Sequence, residues 1–158
     1  SSGDSAKIGS SGDSAKIGSS GDSAKIGSSG YYAKIGSSGD YAQIDISGDY
    51  SVGFACGYKS LIKAKKGTWI SLCEYGVKEI ENGKKIIPIF ALSAQIGNKD
   101  YKDFKGRILK ESEYYCLSNK SFYPVDLSDG IMIKKISEKK RERIYEQILE
   151  EFSHIFLL

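Results

Sequence analysis

No apolar run in this sequence approaches the roughly 18 residues that a membrane-spanning helix needs, so a helical membrane protein is not expected. Histidine occurs once, threonine once, proline twice and cysteine three times in 158 residues. An odd cysteine count does not make a closed disulfide framework. The opening SSGDSAKIG has neither the basic start nor the apolar stretch of a secretory signal. Together these features predict a reducing compartment. An excess of one charge is missing too: 23 Lys and Arg stand against 20 Asp and Glu, a net +3. That is too little to imply a nucleic-acid partner by itself. Charged residues at 27% and hydrophobic residues at 40% also exclude a disordered tail.

Glycine is abundant and unevenly placed, with twelve of the 18 in residues 1–63. A nine-residue repeat is the source. SSGDSAKIG occurs unchanged at 1–9, 10–18 and 19–27, and continues as SSGYYAKIG, SSGDYAQID, ISGDYSVGF and ACGYKSLIK to residue 63. The third position is always glycine, which predicts a corner with positive φ there. The sixth is Ala or Ser, and the eighth is Ile in every unit except at Gly53. Ala6 and Ile8 lie two apart and share one face of a strand, with Lys7 opposite. Each unit therefore reads as a short S-A-K-I strand and a Gly/Ser/Asp turn.

Burying one Ile contributes about 1.5–3 kcal/mol. Ordering the backbone costs roughly 1–2 kcal/mol per residue. A single unit cannot stand alone, so the units must stack as a parallel β-solenoid. A coil of nine residues and a coil of eighteen both fit the pattern. Tyr32, Tyr41 and Tyr50 then form one column or alternate between two. Towards residue 63, Ile46, Val52, Phe54 and Leu61 replace polar or glycine positions, as at a junction with a packed domain. The first coil is expected to offer an unpaired strand edge.

Residues 64–158 read as a compact α/β or mostly β module. Thr68–Glu74 is a strand, Asn82-Gly83 a hairpin turn, and 85–96 an apolar run in which Pro88 argues against a central ladder position. Further strands are expected near 114–117 and 122–125. Ile144, Ile148, Phe152 and Ile155 recur at helical spacing, predicting an amphipathic helix over about 137–156 with Ser137 as its N-cap.

Several chemistries fit poorly. The calcium β-roll unit needs glycines and an Asp that these repeats do not align. Asp4 and its counterparts are expected to hydrogen-bond the turn instead. Ice binding is disfavoured by the Lys ranks and the single Thr68. The one histidine, His154, lies on the predicted helix. Cys56, Cys73 and Cys116 have neither zinc spacing nor an evident base. No catalytic residue, metal site or cofactor is expected. Lys134, Lys135, Lys139, Lys140, Arg141 and Arg143 form a basic cluster near the start of the predicted helix, opposing its dipole. They are candidate phosphate or nucleic-acid contacts, against the commoner reading of a solvated face. Lys63, Lys65 and Lys66 form a second group.

The stretches SSGDYAQI and ISGDYS, with FACGYKSLIKAKKGTWISLCEY after them, resemble a family of phage, prophage and bacterial-host proteins with tandem S-G-D-Y-S/A nonapeptides. The likeness continues through Trp69–Tyr75, Tyr115–Asn119 and Phe122, and covers roughly 1–126. It departs at the apolar run near 86–96 and in Ala-Lys-Ile for the usual Ser-Lys-Ala. The resemblance implies a solenoid followed by a small module in a phage setting, in the cytoplasm of a bacterial host. It transfers no activity. The resulting expectation is a non-catalytic protein-interaction module, in its sharpest form an anti-CRISPR-like inhibitor of a bacterial defence complex. Contacts are expected at Tyr31, Tyr32, Tyr41, Tyr50 and Tyr58, because aromatics on a rigid surface bind at low entropic cost. The alternatives are a self-assembling fibre or virion appendage, joined through the solenoid edge or the helix, and a nucleic-acid binder.

Overall fold

The computed structural model describes residues 1–127. Seven four-residue strands come from the repeats: β1 Lys7–Ser10, β2 Lys16–Ser19, β3 Lys25–Ser28, β4 Lys34–Ser37, β5 Gln43–Ile46, β6 Val52–Ala55 and β7 Leu61–Ala64. Two long strands follow, β8 Trp69–Ile80 and β9 Gly83–Gln95, then β10 Tyr114–Ser118 and β11 Ser121–Val125. The strand of the first four units is thus K-I-G-S, two residues later than S-A-K-I. Its inward rank extends to Ser19, Ser28 and Ser37, all buried.

Pairing settles the coil. β1 joins β3 with Lys7 opposite Lys25, and β2 joins β4 with Lys16 opposite Lys34. Each coil holds two units and eighteen residues. One sheet runs β1-β3-β5-β7-β10-β11 and the other β2-β4-β6-β8-β9. They form a flattened parallel solenoid whose Ala and Ile ranks meet between the sheets.

The degenerate units obey the same packing. Gly53 stands where every other unit has Ile, and a Cβ there would collide with Ile46 Cδ1. Ile46 replaces the inward Ser of its unit and fills the volume that Gly53 leaves. Ile46 and Leu61 are buried as a junction requires, but Val52 and Phe54 point outward and stay exposed. They occupy the alternating outer positions of β6, in register with Lys34 and Gly36.

Beyond the repeats the described chain contributes only strands, as in the mostly β form of the expectation. The predicted helix at about 137–156 lies outside the described residues. β8 opens in parallel register with β6 and pairs antiparallel with β9. The tight turn is at Glu81-Asn82, one residue before the expected Asn82-Gly83. Pro88 sits on β9, an edge strand, paired with Tyr75 beside an irregularity in which Glu74 pairs with Phe90 and Ile89 of β9 is left over. The β10–β11 hairpin pairs with β7 through Tyr115 and Ile62. One buried cluster runs from Ala24 and Ile26 in the repeats to Tyr115 and Phe122.

Candidate functional site

The two edges of the flattened roll are built by the corners between strands. The fifth residue of every unit takes the left-handed conformation: Ser5, Ser14, Ser23, Tyr32, Tyr41, Tyr50 and Lys59 all lie at φ between 54 and 58°. The third-position glycines do not, so the expectation of positive φ there is corrected. Those glycines are required by stacking. A Cβ at Gly21, Gly30, Gly39, Gly48 or Gly57 would overlap the carbonyl of the glycine one coil earlier.

The left-handed corner also explains the Asp. It turns the fifth N–H toward the next coil, where Ser23 donates to Asp40 O at 2.7 Å and Tyr32 to Asp49 O at 3.0 Å. The fourth N–H of that coil points back and donates to an Asp carboxylate. Tyr31 N donates to Asp13 Oδ1 at 3.1 Å, Asp40 N to Asp22 Oδ1 at 2.9 Å, and Tyr58 N to Asp40 Oδ1 at 2.8 Å. The Asp therefore bonds across coils rather than within its own turn. Among the described residues no three His, Cys, Asp or Glu side chains are grouped to hold a metal ion.

Because successive units alternate, the predicted tyrosines fall on opposite edges. One edge carries Tyr31, Tyr32 and Tyr50. The rings of Tyr32 and Tyr50 stack at 5.3 Å and 16°, with Tyr32 56% and Tyr50 72% exposed. Lys65 pairs with Asp49 beside them at 2.9 Å. A non-glycine residue in this conformation costs about 1–2 kcal/mol. The stack returns about 0.5–1.5 kcal/mol. The outer faces of the rings remain open.

The other edge carries Tyr41 and Tyr58. Tyr58 is 6% exposed, so its expected role as a surface contact is corrected: the last coil buries it. Its ring meets Tyr41 edge-on at 5.6 Å and Tyr75 at 5.8 Å, and Lys59 Nζ lies 5.3 Å from its centroid. Burial, then the neighbouring Tyr41 and Asp40, holds the Tyr58 phenol far above its ordinary range. Burial followed by Asp40 and Asp22 raises Tyr41, and burial lowers Lys59. The tyrosines on this edge keep their protons at physiological pH.

Sequence reasoning missed Tyr75, which only β8 brings to Tyr58. It also missed the outward patch of Val52, Phe54 and Trp69, where Trp69 packs edge-on against Tyr101 at 5.2 Å. The alternation V-G-F-A carried that signal, since the small residues Gly53 and Ala55 mark the inner face. Cys116 is buried with Leu61, Tyr123 and Val125. Lys63 pairs with Asp45 at 3.6 Å. Lys134, Lys135, Lys139, Lys140, Arg141, Arg143 and His154 lie outside the described residues. Among those described, no helix is long and apolar enough to cross a membrane. Comparison with protein-family models, curated proteins and solved structures finds no match for this chain.

Proposed function

We propose that this chain is a non-catalytic binding module that recognises a protein partner through the edge formed by Tyr31, Tyr32 and Tyr50. The observation that supports this reading is the exposed Tyr32–Tyr50 stack, carried on a backbone that inter-coil hydrogen bonds fix. Tyrosine offers a large amphipathic surface with few torsions, and ordering it in advance removes that cost from binding. Tyr41 on the opposite edge is a secondary contact in this reading, and Tyr58 supports it from beneath. In the phage setting that the resemblance implies, the module acts in the cytoplasm of a bacterial host, as an inhibitor that occludes a defence complex.

Tyr32→Ser with Tyr50→Ser tests the reading cleanly, because Ser5, Ser14 and Ser23 already occupy the same corner. Retention of a stoichiometric partner from bacterial lysate should fall at least about tenfold in the double variant, while Tyr41→Ser has a smaller effect. Capture at undiminished strength would remove the tyrosine edge as the interface. Concentration-dependent assembly of the chain alone, without a partner, would favour the structural alternative.

A further inference from the structure

Cys56 and Cys73 are distant in sequence and adjacent in the fold. β6 and β8 run parallel, in register from Val52 opposite Trp69 to Ala55 opposite Leu72. One further step along each chain brings Cys56 beside Cys73. Registered neighbours in a parallel sheet face the same side and lie about 4.8 Å apart. Disulfides span Cα separations of roughly 4.4–6.8 Å. Both residues are free thiols and only half-buried. Cys56 sits just past the end of its strand, where its N–H donates to Ser37 O at 3.0 Å. Its carbonyl accepts the Tyr75 hydroxyl, and its thiol donates to Ser37 O at 3.6 Å. Burial raises the Cys73 thiol pKa, and the neighbouring Cys56 adds to the rise. The repeat itself does not call for cysteine here, since Ser20 and Ser38 hold the same position in the preceding coils.

We propose that Cys56 and Cys73 form a dithiol site that a low-molecular-weight disulfide, such as oxidised glutathione, converts into a crosslink within the chain. One protein thiolate attacks the glutathione disulfide, forming a mixed disulfide and releasing one glutathione thiolate. The second protein thiolate attacks the protein sulfur of that mixed disulfide and expels the other glutathione. Two protein thiols are oxidised and one glutathione disulfide is reduced to two thiols, with the protons passing to the departing glutathione. The bond ties the corner that carries Tyr58 to the strand that carries Tyr75, locking the Tyr41–Tyr58–Tyr75 edge. Cys116, buried in its apolar cluster, takes no part.

The test is incubation of the full chain with oxidised glutathione, followed by non-reducing tryptic mapping. Cleavage at Lys59, Lys63, Lys65 and Lys66 separates the two cysteines. The expected product is a linked pair of peptides containing Cys56 and Cys73, with Cys116 unmodified and hydrogen exchange slowed over 56–60. Cys56→Ser, which restores the residue of the preceding coils, should abolish the link and leave at most a glutathione adduct on Cys73. Separate adducts without a link in the wild-type chain would overturn the proposal. So would disulfide-linked dimers in place of the internal bond, or no reaction at all.

Discussion

At the scale of single residues, two glycine positions in one repeat obey different constraints. Gly36 lies on the outer face of β4, where an added Cβ meets nothing. Glycine in a strand is less stable than alanine by roughly 0.5–1 kcal/mol. Gly36→Ala should therefore raise the urea midpoint slightly. Gly39→Ala drives a Cβ into the carbonyl of Gly21. It should cost about 2 kcal/mol or more, and an unchanged midpoint would refute the stacking account. The tyrosines make a second prediction. Burial raises Tyr41, Tyr58, Tyr75, Tyr114 and Tyr115 above their ordinary value of 10.0. On raising the pH the unfolded chain loses those protons first, so the folded state binds more of them. Their stabilisation is complete below about pH 10 and is lost as the pH climbs through the folded values. A pH series of urea midpoints should decline on the alkaline side, in step with tyrosinate absorbance.

At the scale of elements, the closing hairpin is held by a turn that its sequence does not favour. Asn119 and Lys120 lie at φ 47° and 59° between Ser118 and Ser121. Two left-handed residues match the twist of a two-residue hairpin, and Asn-Gly is the preferred pair. Lys120 keeps the conformation because its N–H donates to Glu74 Oε1 at 2.6 Å and its Nζ lies 5.7 Å from the Phe90 centroid. Lys120→Gly retains the backbone donor, relieves the left-handed cost and loses the ring contact. We expect a net gain of about 0.5 kcal/mol in a thermal or urea transition. A loss would mean that the contact with Phe90 outweighs the turn.

At the scale of the whole molecule, the two-unit coil means that every odd unit faces one edge and every even unit the other. Removing one unit therefore does more than shorten the solenoid. Deleting 10–18 leaves all pairings from the third unit onward in place, because the first three units are identical. Deleting 37–45 moves Tyr32 to the opposite edge, leaves Tyr50 above Ser23, and removes the Asp40 carboxylate that accepts the Tyr58 N–H. The first variant should keep the near-ultraviolet circular dichroism of the tyrosine stack. The second should lose it and be less stable by about 1–3 kcal/mol, while both retain the far-ultraviolet strand signal. Equal behaviour of the two would contradict the alternation.

The repeat, its solenoid nature, the inward Ala and Ile ranks, the edge position of Pro88, the β8–β9 hairpin and the two later strands were legible in the sequence, because period and turn chemistry are local properties. The candidate edges were legible only as a set of tyrosines. Coil length decides which of them meet, and coil length is set by hydrogen bonds between residues eighteen apart, which no local pattern records. For the same reason the structure alone decided that the third-position glycines serve close stacking, that Asp bonds to the next coil, and that Tyr58 is buried beneath Tyr41 and Tyr75. It also decided that Ile46 fills the space at Gly53 and that β6 and β8 pair in register up to Ala55 and Leu72, one residue short of Cys56 and Cys73. The residue types and their period determine that coils form; the packing of one coil on the next determines what each residue touches.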